Sequence, residues 1–393
     1  MRVIILTIIL FFFNFDLILS IDKPIKEDND ILIDISAVGD IMIHSSQLDA
    51  QYDINSKKYN FYNNFKYISD DIKKSDLSIA NLETTFSGEE NGYSGYPRFN
   101  SPDSLAHALK KSGFDFISIA NNHTLDYGIQ GFERTIGVLE KNKLNPLGIK
   151  KDLDDKRYEI KDIKGVKVGI IAYTYETPPI DGSKTINNIK IPNEIKDLIN
   201  TFNPNNLTYE IPKIQSEIQN MKKDGAELIV FVMHWGNEYN LKPNYIQKVL
   251  AKCLANSGVD IILGSHPHVI QPVELINSNN SNHKTLIVYS MGNFLSNQRF
   301  EMTGSTYTEN GVILNIEVRK NLTTKKVSVD KVSYKPTWVY KYYNNDEDKI
   351  VYEIIPVLEC LKNYGKFKIY DSETQTRIQK SFKNTNRVIK SKY

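Results

Sequence analysis

Five apolar runs in this chain each stop on a side chain that can ligate a metal or move a proton. Val38-Gly39-Asp40 closes the first run and Ile79-Ala80-Asn81-Leu82-Glu83 the second. Ser118-Ile119-Ala120-Asn121-Asn122-His123 closes the third, Val232-Met233-His234 the fourth and Leu263-Gly264-Ser265-His266-Pro267-His268 the fifth. The chain has 7 histidines, and His123, His234, His266 and His268 all fall at these ends. Open α/β sheets gather their sites at the carboxyl ends of strands, so the pattern predicts strands that converge on one polar cluster.

The spacing of the runs supports that fold class. Strand-like runs at 31–39, 77–82, 114–121, 166–175, 227–234, 259–264 and 285–291 alternate with helical patterns at 102–111, 129–142, 209–223 and 243–257. Such alternation predicts an α/β architecture with a largely parallel sheet. The helix over 102–111 is expected to open with Ser101 as cap and Pro102 at its first position, and Gly113 follows its end. Beyond 268 the helical patterns give way to runs at 269–276, 311–318 and 326–340. These read as antiparallel strands of a second sheet stacked on the first. The insertion at 176–206 is rich in Pro and Asn and reads as a lid, a binding loop or a plain surface excursion. Residues 341–393 form a charged, Tyr-rich extension, expected to be helical in part.

Composition narrows the class of partner. The 393 residues carry 49 Lys+Arg against 47 Asp+Glu, interspersed, for a formal charge of +2. No basic stripe with interleaved aromatics stands out, so nucleic acid is not the expected partner. Residues 1–20 differ from the rest: Met1-Arg2 precedes a nearly unbroken apolar run from Val3 to Leu19. That is the layout of a signal peptide or, if retained, a signal anchor, with a charged linker over 21–30. An exported protein at the cell envelope, periplasmic or extracellular, is therefore expected. Cys253 and Cys360 are the two cysteines, and a bridge between them is open at this stage. The sequence has no Gly-x-Ser-x-Gly elbow and no phosphate-cradling Gly-rich loop, which argues against a serine hydrolase and against ATP-driven ligation.

Taken singly, each polar end has an ordinary reading: a turn cap for Asp40, turn chemistry for Asn121-Asn122, a packed core histidine for His234. At five equivalent strand ends they read together as a metal site. Imidazole nitrogen with carboxylate and amide oxygen suits Zn, Mn or Fe better than Ca or Mg. His266-Pro267-His268 sets two imidazoles side by side, so one or two ions are expected, and two would clamp a substrate oxyanion.

The segments GDIM (39–42), ANLE (80–83), ANNHTLDYG (120–128), MHWGNEY (233–239), GSHPHVIQP (264–272) and YSMGNF (289–294) resemble, in order, those of the CapA family of poly-γ-glutamate capsule synthesis. That family is a branch of the calcineurin-like metallophosphoesterase superfamily, and the resemblance covers about residues 31–300. It implies a four-layer αββα sandwich of two stacked mixed sheets, here a domain over 31–340. Carried over by position, it implies Asp40 and His268 on one metal, Asn122, His234 and His266 on a second, and Glu83 between them. It implies His123 as a non-ligand acid oriented by Asp126; His44, Asn81 and Asn293 are further candidates for the site. Two motifs depart from the superfamily. Asp40-Ile41-Met42 replaces Asp-x-His, with His44 two residues further on, and Asn81-Leu82-Glu83 replaces Gly-Asp-x-x-Asp. The implied activity is metal-dependent hydrolysis of an anionic capsular polymer or its phosphorylated precursor, alongside membrane-bound capsule-synthesis partners. The alternative is a non-catalytic metal-containing component of capsule assembly or export.

Overall fold

The computed structural model describes residues 30–279 and 283–391. The expected signal or anchor and nearly all of the linker lie outside them. Among the described residues no helix is long and apolar enough to cross a membrane.

Two mixed sheets carry the fold. The first contains β1 (Ile31–Ile41), β2 (Leu77–Leu82), β3 (Phe116–Ser118) and β4 (Asn145–Leu147), all parallel. The second contains β5 (Val166–Tyr175), β6 (Leu228–His234), β7 (Ile261–Ser265) and β8 (Lys284–Val288), again parallel. Three long antiparallel strands, β9 (Asn310–Lys320), β10 (Val327–Asn344) and β11 (Lys349–Pro356), extend the first sheet on the far side of β1.

This division corrects the sequence reading in one respect. The late strands over 311–318 and 326–340 do not build a separate sheet; β9 pairs with β1 and β10 with β9, while Val273–Asn277 joins the second sheet beside β8. The parallel strands are shared between two sheets instead of lying in one. Periodicity reports which face of a strand is apolar but not which strand lies beside it. The line drawn at 340/341 falls inside β10, and β11 from the supposed extension pairs with β10 along its length.

Alternation of side chains explains the layering. Ile33, Ile35 and Ala37 of β1, with Leu77 and Ile79 of β2, face Val168, Ile170 and Ala172 of β5 and Val230 and Val232 of β6 in one core between the sheets. The opposite face of the first sheet, including Val38, Ala80 and Leu82, packs on α1 (Ser45–Gln51), α2 (Ser104–Lys111) and α3 (Gly128–Lys141). The outer face of the second, including Ile171, Ile229 and Phe231, packs on α4 (Leu207–Lys223) and α5 (Tyr245–Asn256). The order is therefore helix, sheet, sheet, helix: a four-layer αββα sandwich. A fourth apolar cluster joins Trp338, Tyr340 and Ile355 to α6 (Ser372–Ile389) through Ile378.

Local details differ from expectation in two places. The helix expected over 102–111 starts at Ser104, and Ser101 is not its cap; its hydroxyl pairs with Thr84 at 2.8 Å. The 176–206 insertion forms a small three-stranded sheet, and Ile186, Ile191, Ile195 and Ile199 bury themselves in the helix-side core of the first sheet. Cys253 and Cys360 are both free thiols.

Candidate metal centre

The carboxyl ends of β1, β2, β6 and β7 meet where the two sheets adjoin, and their last polar side chains are buried there. Asp40 arrives through a register shift in the β1–β2 pairing between Val38 and Asp40. Gly39 makes this approach feasible, because a Cβ at that position would stand 1.9 Å from the carbonyl oxygen of Gly292. His266 and His268 sit at φ +96° and +55°. Backbone of this kind is unfavourable for residues other than glycine and persists where the surroundings over-determine it.

Ligand atoms of Glu83, His266 and His268 lie within 4.8 Å of one another, and so do those of Asp40, Glu83 and His234. Glu83 belongs to both groups and is completely buried. Its Oε1 stands 3.7 Å from His234 Nε2 and 3.7 Å from His268 Nε2. The groupings place Asp40 with His234 and His266 with His268, whereas the resemblance implies Asp40 with His268 and His234 with His266. Asp40 nonetheless touches His268, accepting from its Nδ1–H at 3.2 Å. His234 Nε2 stands 2.8 Å from Asn122 Oδ1. That is near the spacing of two ligands on one ion, since bonds of about 2.1 Å at right angles put the ligands about 3 Å apart. Ser265 Oγ, 3.0 Å from His234 Nδ1, can serve either tautomer of that ring.

A divalent ion fits this donor set on observations internal to it. Glu83 Oε1 and His266 Nδ1 are buried and have no hydrogen-bond partner among the described residues, an arrangement that is costly unless something else binds there. Burial and the adjacent Asp40 push the Glu83 carboxyl well above the usual carboxylate range. Burial and neighbouring imidazoles push His234 and His266 well below the ordinary value of 6.5. Without an ion, then, the centre resists charge of either sign; a cation relieves the carboxylate and uses the neutral imidazoles as they stand.

The remaining expected residues fall around this cluster. His123 Nδ1–H donates to Asp126 Oδ2 at 2.8 Å, and the same oxygen accepts from the Phe99 amide at 2.7 Å. His123 belongs to neither ligand group. Asn81 turns its amide nitrogen toward the acids, 2.8 Å from Asp40 Oδ1 and 3.4 Å from Glu83 Oε2, so it orients the carboxylates with its donor side. His44 lies outside both groups. Its Nδ1 stands 3.3 Å from the Asn297 amide and 3.3 Å from Gln47 Oε1. Asn293 pairs with Asp40 in the sheet; its amide nitrogen is used by Gln298 and Thr308, and its Oδ1 is buried without a partner among the described residues.

Three neighbours were not singled out from the sequence. Tyr175 lies parallel to His234 at 6.3 Å and tilted against His266 at 4.8 Å. Phe99 sets its ring edge-on to both His123 and His44. Glu238 Oε1 reaches within 4.0 Å of His268 Nε2. Tyr175 ends β5 at the same edge as the other site residues, and that position was its signal. Phe99 and Glu238 lie in loops whose path no periodicity records.

The profile described as bacterial capsule synthesis protein PGA_cap matches residues 34–298, a span holding every residue of the centre. The chain belongs to the PGA_cap family. Family relatives include the PGA biosynthesis protein CapA of Bacillus subtilis (strain 168), 27% identical over 310 residues, 76% of this chain and 70% of that one. The capsule biosynthesis protein CapA of Bacillus anthracis is 28% identical over 305 residues, 76% of this chain and 67% of that one. Among solved structures, the calcineurin-like phosphoesterase YfkN from Bacillus subtilis aligns over 91% of this chain and 98% of its own, at 14% identity and a TM-score of 0.42. That likeness is too loose to carry an argument about activity.

Proposed function

We propose that this PGA_cap protein is an exported, metal-dependent hydrolase of the cell envelope, acting on an anionic capsular polymer or its phosphorylated precursor. The carrying observation is the pair of orphaned ligand atoms, Glu83 Oε1 and His266 Nδ1, with an ordered histidine–aspartate pair beside them that ligates nothing. Asp40, Glu83, Asn122, His234, His266 and His268 would hold one or two ions of Zn, Mn or Fe, which supply Lewis acidity toward a substrate oxygen.

The protein's own groups do the rest. Asp126 fixes the His123 ring through Nδ1, which leaves Nε2 as the atom that gives a proton to a departing oxygen or nitrogen. Phe99 packs against that ring and limits its rotation. Asn81 holds Asp40 and Glu83 apart in fixed orientation. The apolar run Val3–Leu19 supports export, and the names of the relatives support capsule synthesis, with membrane-bound synthesis proteins as partners.

The test is turnover of γ-linked glutamate oligomers and of a phosphorylated precursor by metal-loaded protein. His123→Ala is expected to lower kcat by about 10²- to 10⁴-fold with metal content unchanged, whereas His266→Ala loses metal as well. Equal turnover by wild type and His123→Ala overturns the acid role. A second reading is favoured by Asn81 and His44, which leave the two altered motifs without the superfamily's ligands: the ion holds polymer during assembly and turns nothing over. Metal-dependent binding with no turnover by the wild type would select it.

A further inference from the structure

The segment after residue 298 lies beyond the family match, yet it builds a cavity at the same end of the first sheet as the metal centre. Asp40 pairs with Asn293, and Gly292 bridges to Gly311, which in turn pairs with Thr337. Lys341 is four residues past Thr337 along β10, so at about 3.3 Å per residue the β10–β11 hairpin overhangs the Asp40 level by roughly 13 Å. There Asn297, Arg299, Lys341, Tyr342, Tyr343 and Arg377 line a cavity of about 410 Å³. Asn297 links it to His44, beside the metal centre but outside its ligand groups: its amide meets His44 Nδ1 at 3.3 Å, and its Oδ1 accepts from Tyr352 OH at 2.9 Å.

Charge decides what this cavity takes. Arg377 pairs with Glu301 at 2.6 Å and with Glu309 at 2.5 Å, and Arg299 lies 3.8 Å from each of the same carboxylates. Two guanidinium groups thus face two carboxylates and balance. Lys341 has no carboxylate within 4.0 Å among the described residues; its ammonium lies 5.5 Å from the centre of the Tyr352 ring. The cavity carries one uncompensated positive charge, flanked by the half-exposed ring of Tyr343.

We infer that this cavity is an accessory subsite that holds an anionic group of the substrate, through Lys341, while the adjoining unit lies at the metal centre. The inference rests on the proposed action on an anionic polymer or phosphorylated precursor. A carboxylate of a γ-linked glutamate chain and a phosphate share the chemistry, and the experiment separates them.

Calorimetric titration of the metal-stripped full chain with a short γ-linked glutamate oligomer, and separately with inorganic phosphate, reads the subsite without any turnover. Lys341→Ala is expected to weaken binding about five- to tenfold and Lys341→Glu more, as for loss of one partly desolvated charge contact. Lys341→Arg is expected to stay within about twofold, and Lys325→Ala, at the exposed turn before β10, to bind as wild type. Lys341-dependent binding of the oligomer supports the subsite with carboxylate as occupant; the same dependence for phosphate alone supports it with phosphate. Unchanged binding by Lys341→Ala, or no binding of either probe by wild type, overturns it. Neither result bears on metal loading or on His123-dependent turnover, so the hydrolase reading stands or falls separately.

Discussion

Glu309 and Glu83 are both carboxylates sealed from solvent, one between guanidinium groups and the other among imidazoles. Glu309 accepts from Trp338 Nε1 at 2.9 Å and from the Phe300 amide at 2.8 Å, and faces Arg299 and Arg377. Both of its oxygens are used. Glu83 has His234 and His268 nearby at 3.7 Å, too far to bond, and its Oε1 has no partner among the described residues. Burying a charge is costly unless it is matched. A matched cluster is complete as it stands and serves to join β9, β10 and α6. An unmatched one at a junction of four strand ends marks a place where something else belongs.

That contrast can be broken at either cluster. Glu309→Ala leaves the two guanidinium groups sharing the more exposed Glu301 alone and is expected to destabilise the chain by about 3–5 kcal/mol, read by denaturant unfolding, with metal content unaltered. A small loss of stability would mean that the Glu309 cluster is not the sealed network it looks to be. Glu83→Gln is the opposite case. It removes the carboxylate common to both ligand groups, and metal affinity is expected to fall about 100-fold, measured by competition with a chromophoric chelator. Full retention of metal by this variant would take Glu83 out of the centre. Stability to unfolding of the metal-free Glu83→Gln chain should hold or rise, because the buried carboxyl group at 83, which resists ionisation, is gone.

The pH dependence of the metal-free chain sharpens the same point. Burial depresses His234 and His266, and His44 to about 4, so each is neutral when folded and takes up a proton on unfolding below 6.5. These groups contribute stability that is present above 6.5 and is lost as the pH falls. Glu83 has the reverse sign: its raised folded value means that it releases a proton on unfolding above about 4.5. Three imidazoles that take up a proton outnumber the one carboxyl that releases one, so these four groups together lower stability as the pH falls from 6.5 toward 4.5. His266→Gln is expected to flatten that slope by about one proton, followed by thermal unfolding across the range. An unchanged slope would show that His266 is protonated in the folded chain.

The strand ends were legible because apolar runs stop abruptly there, and Asp40, Glu83, Asn122, His234, His266 and His268 do converge. The αββα layering was legible through the resemblance and through the two faces of each strand. Which sheet received the late strands was not, since Ile313 and Val339 read the same in either. The boundary at 340/341 falls inside a strand for a similar reason: the charged, Tyr-rich composition after 340 reads as an extension, but Tyr342 and Tyr343 are strand residues paired with Val351 and Ile350. Asn81 could be placed at the centre but not assigned a role. Whether its oxygen or its nitrogen faces the acids depends on Asn121, which donates to Asn81 Oδ1 at 3.4 Å and to the Leu82 carbonyl at 2.8 Å.

The centre draws Asp40, Glu83, Asn122 and His123 from the first sheet and its neighbouring loop, and His234, His266 and His268 from the second. A chain that has formed only the first of these holds two carboxylates with no imidazole ligand, and one that has formed only the second holds three imidazoles with only the half-exposed Glu238 as counter-charge. Each ligand group combines residues of both halves, so an ion held there would gain its full ligand set only after the sheets have docked and would act as a latch on a finished structure. Metal uptake would then be a clock for the end of folding, and a chain crossing a membrane unfolded would acquire its metal on the side where it comes to rest.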